Sequence, residues 1–348
     1  MDESDISGYL SSLRREGNYE SSGAFSLSSQ KSLEKLKEFQ LQEKAEYILH
    51  LVSCAVHRGA SQIQFDIRAH DVRMAFDGEP FSHAELDDVF GSFFAADTSA
   101  AGRSRKDLAI ALNTITTFNP DFVVVESWQG QQGAVMQLYE NQVWLETLVD
   151  SQIRPGRGSF QYVCFQTPLS FINYCMPTLT LWARAELELL RTRCCFGPAR
   201  VWLNGVEIQK TLEGKTFLLT GEGVAPAFLP IYSKSSSLDA GMWGVVSFSD
   251  DSGASECLLR YVVGGVSYTE TVRGFPEQTQ IVVFADQLKK DLSQRALVRN
   301  ADLSALQASL LKAVGTAADL IESTEKYRFY DLRKWNSTRP RVAEEAQI

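Results

Sequence analysis

No stretch of this 348-residue sequence approaches the roughly 18 consecutive apolar residues of a membrane-spanning helix. The opening residues, MDESDISGYLSSLRREG, are acidic and polar and lack the apolar core of a secretory signal. Basic charge is in deficit: 34 Lys and Arg stand against 43 Asp and Glu, a net charge of −9 with a pI of about 5.1. That balance opposes a general nucleic-acid or anionic-membrane binder, because either needs a concentrated basic surface. Six cysteines (Cys54, Cys164, Cys175, Cys194, Cys195 and Cys257) are scattered, with no CxxC and no histidine pair at metal-ligand spacing. They read as reduced core residues, and the cytoplasm is the expected compartment. Neither a Ser-His-Asp nor a zinc pattern is present, and no internal repeat is visible.

What is there is an ordinary globular composition, 44% hydrophobic and 22% charged, over a length that favours two domains. The Ser-rich residues 1–29 read as a polar segment. SSQKSLEKLKEFQLQ reads as an amphipathic helix with Ser29 or Ser32 as N-cap, and EKAEYILHLVSCAVHRG as a longer one stopped by Gly59. SQIQFDI and DVRMAF alternate as strands. SHAELDDVFGSFF is a helix with a Ser82/Glu85 capping box, and ADTSAAGRSR a small-residue loop ahead of the helix KDLAIALNTITTF. Four further strands follow: DFVVVESW, two around a turn at Glu140 and Asn141, and GSFQYVCFQ. The layout is an α+β sandwich, helices over a largely antiparallel sheet, occupying residues 30–170.

The pattern restarts in a second, smaller α+β domain, residues 171–325. TLWARAELELLRTRCCF reads as a helix, ARVWLNGVEI as a hairpin with a type I′ turn at Asn204-Gly205. Strands TFLLTG, GMWGVVSFSD, ECLLRYVVGGVSYTE and TQIVVFAD come next, then helices at QLKKDL and ADLSALQASLLKAVGTAADLIEST. Residues 326–348 form a polar tail.

HLVSCAVHRGA, MAFDGEPF, SAAGRSRKDLAIAL and RGSF, in that order, resemble the motifs of the GHKL (Bergerat-fold) superfamily, which includes ninety-kilodalton heat-shock chaperones, gyrase B, MutL and sensor histidine kinases. Leu51, Val52, Ala55, Gly59 and Ala60 match the first motif. ELELLRTRCCFGPARVWLNGVEI and VVFADQLKKDLSQRALVRNADLSAL resemble the chaperone stretches leading into a middle, or transducer, domain. The resemblance spans roughly residues 30–310 and implies a two-layer nucleotide-binding sandwich followed by that domain.

The resemblance also implies where chemistry would stand. The general-base Glu and the Mg²⁺-ligating Asn of the first motif become His50 and Cys54, and a thiol does not suit so hard a cation. The adenine-binding Asp becomes Phe76, and the last motif glycine becomes Pro80. Asp77 is one residue out of phase, and is expected to face the other way and bond locally ahead of Gly78. His57 and Glu79 read as surface residues. Only Gly102 remains of the glycine-rich third region, beside a basic cluster, Arg103, Arg105 and Lys106, that could hold a phosphate ahead of a helix N-terminus. The catalytic Arg of the middle domain has no match at Ser293-Gln294, and Arg295 comes one position late. The segments around His50 and Phe76 are expected to line one cavity.

The expected function is therefore a chaperone-like protein without catalysis, a scaffold, client-binding or regulatory partner with a degenerate ATP site. No metal or cofactor is expected, and a protein partner or client and homodimerisation are. The alternative is a divergent Mg-ATPase using His50 as base. A third reading makes the resemblance accidental and the chain a plain interaction module.

Overall fold

The computed structural model describes residues 41, 43–139, 142–149, 159–167, 184–210, 212, 215–218, 233–234, 243–248, 257–272, 274–275, 279–291 and 295–324. The helix expected over residues 28–42 lies outside them apart from Leu41, as do the N-terminal segment and the C-terminal tail.

Five α-helices and fourteen strands are described. In the first unit, α1 (Tyr47–His57) leads to β1 (Gln62–Ile67) and β2 (Asp71–Phe76), and the short α2 (His83–Asp87) to α3 (Ala100–Thr116). Then come β3 (Phe122–Gln129), β4 (Gln132–Tyr139), β5 (Gln142–Val149) and β6 (Ser159–Gln166). Helix α4 (Ala185–Arg193) precedes β7 (Arg200–Leu203) and β8 (Val206–Glu207). The strands form one sheet in the order β5-β4-β3-β6-β2-β1-β7-β8, antiparallel except for the β1–β7 pair.

Alternation explains the two layers. Ile63, Phe65 and Ile67 on β1 lie opposite Phe76, Met74 and Val72 on β2, and Met74 and Val72 in turn opposite Val163 and Phe165 on β6. All are buried on one face, which needs a cover of apolar helix faces. Helices α1 and α3 supply it: Leu51, Val52 and Ala55, with Leu108, Ala111, Leu112 and Ile115, join the same cluster. Burying about ten such side chains supplies of order 20 kcal/mol before chain entropy is subtracted.

The second unit has β9 (Lys215–Leu218), β10 (Ser233–Lys234), β11 (Trp243–Phe248), β12 (Cys257–Val263), β13 (Val266–Val272) and β14 (Thr279–Phe284), in the order β10-β9-β11-β14-β12-β13. Helix α5 (Ala301–Thr324) buries Leu303, Leu306, Leu310 and Val314 in the cluster that also holds Leu259, Tyr261 and Ile281.

Four expectations need correction. The hairpin at Asn204-Gly205, read as part of the second domain, pairs with the first sheet through β1–β7. Residues 100–105 are helix, not loop, because the Ser99 hydroxyl accepts from the Gly102 amide at 3.0 Å and starts α3 six residues earlier than its apolar pattern does. Lys290, expected in a helix, instead bridges to Leu297 in extended pairing. The Ser82/Glu85 capping box is present, but its helix stops at Asp87, and a separate 3-10 turn follows at Gly91–Phe94.

Candidate functional site

The site is the seam between α1 and α3. His50 and Cys54 lie one turn apart on α1, and Ser104 and Asp107 nearly one turn apart on α3, so the two pairs meet rung by rung. His50 Nδ1 donates to Asp107 Oδ1 at 2.9 Å, and His57 Nδ1 to Asp107 Oδ2 at 3.1 Å. The Ser104 hydroxyl donates to the Cys54 carbonyl at 3.0 Å, and the Cys54 Sγ lies 3.4 Å from the Ser104 Oγ.

Burial sets the electrostatics. It lowers the His50 pKa against the partial opposition of Asp107, so the ring is neutral near pH 7. It pushes the Cys54 thiol up to about 12. Burial alone would raise Asp107, but the charge of Lys290, reaching in from the second unit, and the bonds from His50 and His57 outweigh it and hold the carboxyl well below the usual range. His57, expected on the surface, has a side chain only 6% exposed, because Asp107 draws it inward. Glu79 is exposed, as expected.

The remaining positions are also committed elsewhere. Phe76 is 4% exposed and belongs to the core. The Asp77 carboxylate accepts from the Ser61 amide at 2.8 Å, the Ser61 hydroxyl at 2.5 Å and the Gln62 amide at 2.8 Å, so it ties down the turn after α1 rather than bonding within its own loop. Gly78 has φ +117°, and a Cβ there would lie 2.6 Å from the Arg58 carbonyl oxygen, so glycine lets β2 pass the end of α1. At the start of α3, the Asp97 side chain sits where a Cβ on Gly102 would be, accepts from the Ser99 amide at 2.9 Å and pairs with Arg105 at 3.0 Å. A carboxylate of the chain itself thus holds the helix end at which a phosphate was expected. Lys106 stands over the Phe93 ring, 5.6 Å from its centroid, and Arg103 begins the second turn.

Sequence reasoning missed Arg58. Its guanidinium is buried, donates to Glu85 at 2.6 Å and to Ser104 at 3.3 Å, and stacks 3.9 Å over Phe81. Asp107 was missed too, though a carboxylate on the apolar stripe of α3 is a readable signal. Arg295 reaches Glu46 at 3.0 Å and Glu43 at 3.1 Å, which fastens the second unit to the start of α1.

A groove of about 700 Å³ opens beside this seam, lined by His57, Arg58, Gly78, Ala100 and Gln129 among others. His50 and Phe76 themselves are in the core, but the segments around them meet here, His57, Arg58 and Gly59 from one and Gly78, Glu79 and Pro80 from the other. Measured against Mg-nucleotide, the donors fit poorly: a protonated thiol, two imidazoles and a carboxylate already bonded twice offer no open set of oxygens for a hard cation.

No protein-family model and no curated protein matches the sequence. Among solved structures, the chain is similar to the B-subunit of DNA gyrase from Myxococcus xanthus, with a TM-score of 0.53 at 12% identity. The match covers 88% of this chain and 99% of that one. No helix among the described residues is long and apolar enough to cross a membrane. With a large mixed sheet, helices on one face and this likeness, the fold is α+β and similar to that of the gyrase B-subunit.

Proposed function

We propose that this chain is a GHKL-fold protein that does not process nucleotide and acts instead as a scaffold, client-binding or regulatory partner of other proteins. One observation carries the reading: the residues at the family's base and metal positions, His50 and Cys54, are bonded straight onto α3, through Asp107 at 2.9 Å and Ser104 at 3.4 Å. Prying the two helices apart to admit a triphosphate and its cation would leave a buried carboxylate without its partners, which costs several kcal/mol. Phe76 in the core and Asp97 at the start of α3 support the same reading. The chaperone-like role rests on the sequence resemblance and stands with the proposal.

Titration calorimetry with Mg-ATP and Mg-ADP tests it. No saturable heat is expected. Micromolar saturation that Ala100→Trp abolishes, by filling the adjoining groove, overturns the proposal. The rival reading, an ATPase with His50 as base, requires turnover that His50→Ala removes. A ring 1% exposed, with Nδ1 spent on Asp107, offers no path to a water in the groove.

A further inference from the structure

Helix α1 turns a polar stripe toward the second unit. Glu46, just ahead of the helix, and His50, Ser53 and His57 within it recur at intervals of three and four residues and so share one face. The second unit meets that face along its length. Arg295 donates to Glu46 at 3.0 Å. A Cβ on Gly264, in the turn between β12 and β13, would lie 3.0 Å from the Ser53 hydroxyl and 3.3 Å from His57 Nε2. Three polar atoms at this contact, His50 Nε2, Ser53 Oγ and the Tyr268 hydroxyl on β13, are buried without a hydrogen-bond partner among the described residues. Orphaned groups of this kind are rare in folded chains and costly. Of the three, only the imidazole can change its charge near neutral pH.

We propose that His50 is the proton sensor of an acid-released clasp between the two units, in which a proton on its Nε2 lifts the β12–β13 turn off α1. The clasp goes beyond the scaffold reading and holds whatever the chain binds. In the closed arrangement Nδ1 already donates to Asp107, so a second proton can sit only on Nε2, where no acceptor awaits it. The charges around the ring do not make that site hospitable. Asp107, on α3, favours the cation but is shared with His57. Lys290, after β14, opposes the cation, and burial opposes it more. The other ionisable groups nearby are engaged: Glu46 with Arg295, Asp286 with the Gly264 amide at 2.7 Å, and Asp291 with the Arg295 amide at 2.9 Å. Arg193 donates to the Ser267 carbonyl and stacks on the Tyr268 ring, while the Cys54 thiol, pushed up to about 12, stays neutral. Lifting the turn brings water to Nε2, and the ring then takes a proton as an ordinary histidine does. Opening therefore takes up a proton. Because the closed pKa is the lower one, acid favours the open form, by up to about tenfold per pH unit below 6.5.

Hydrogen–deuterium exchange of the full chain tests it, read by mass spectrometry at pH 7.5 and 5.5 and corrected for the intrinsic pH dependence of amide exchange. Peptides covering the β12–β13 turn are expected to lose protection by about fivefold to tenfold at pH 5.5, while those from β3 and β6 keep theirs. His50→Gln, whose amide still donates to Asp107 but takes up no proton, abolishes the loss. Lys290→Gln removes the opposing charge and cuts the loss to about twofold or less, which keeps the test decisive should the His50 variant not fold. A loss below about twofold in the parent chain overturns the proposal. So does a loss shared by β3 and β6, which would be global acid unfolding. A response kept in His50→Gln would belong to His57 or the surrounding carboxylates, and a response unchanged in Lys290→Gln would remove the electrostatic cause. Either result overturns the clasp.

Discussion

At the scale of single residues, the seam depends on groups that are costly to bury and are therefore fully engaged. Arg58 is the clearest case, its side chain 3% exposed while bonded to Glu85, which is 22% exposed. Arg58→Ala should destabilise the chain by about 3 kcal/mol in urea denaturation, because Glu85 and the Pro80 carbonyl lose their donor. Arg58→Met, which restores the stem against Phe81 without the charge, should recover part of the loss. His50 predicts a pH effect. Its folded pKa is lowered from 6.5, chiefly by burial, so the unfolded chain binds more protons below that value. Stability should be level above pH 7 and fall as pH drops through 6.5, by at most about 1.4 kcal/mol per pH unit from this group. Thermal melts from pH 7.5 to 5 check it, and His50→Gln, which keeps a donor for Asp107, should flatten the slope. The depressed Asp107 adds its own loss only below about pH 4, where the unfolded carboxyl takes a proton first.

At the scale of elements, local signals were dependable where the backbone itself decides. The Asn204-Gly205 turn has φ of +50° and +82°, the mirror-image turn that suits a hairpin. Its asparagine also works across elements, accepting from the Ile67 amide at 2.8 Å and donating to the Ile67 carbonyl at 3.2 Å, which fastens the β7–β8 hairpin beside β1. Asn204→Ala should cost about 2 kcal/mol in denaturant titration, the sum of a strained φ and two lost bonds. Asn204→Gly, which relieves only the strain, should cost about half as much. The loop expected at residues 96–105 failed for a related reason. Hydrophobic periodicity marks where a helix touches a core, and the first turn of α3 touches little, so only the Ser99 cap reveals where it begins.

At the scale of the whole molecule, one apolar cluster runs through both units, and the hairpin turn of β12 and β13 is pressed onto α1. Gly265 has φ +76°, and a Cβ there would lie 2.7 Å from Val56 Cγ2. Gly265→Val should strain the turn and push the units apart, giving two calorimetric transitions where the parent chain gives one. The sequence by itself determined the alternating strands β1 to β6 and the bodies of helices α1, α3 and α5, because those follow from period-2 and period-3.6 burial that each segment carries locally. The side-chain types at His50, Cys54 and Phe76, on which the proposal of a degenerate nucleotide site rests, are also readable there. Tertiary structure alone decided that Asp107 would gather His50 and His57, that Arg58 would be buried, and that the 200–207 hairpin would join the first sheet. Those outcomes turn on distant partners, such as Glu85 for Arg58, 27 positions away, and Val201 for Ile63, 138 positions away. A buried charge goes where a complementary group completes its bonds, and chain order does not encode which groups the packing brings together.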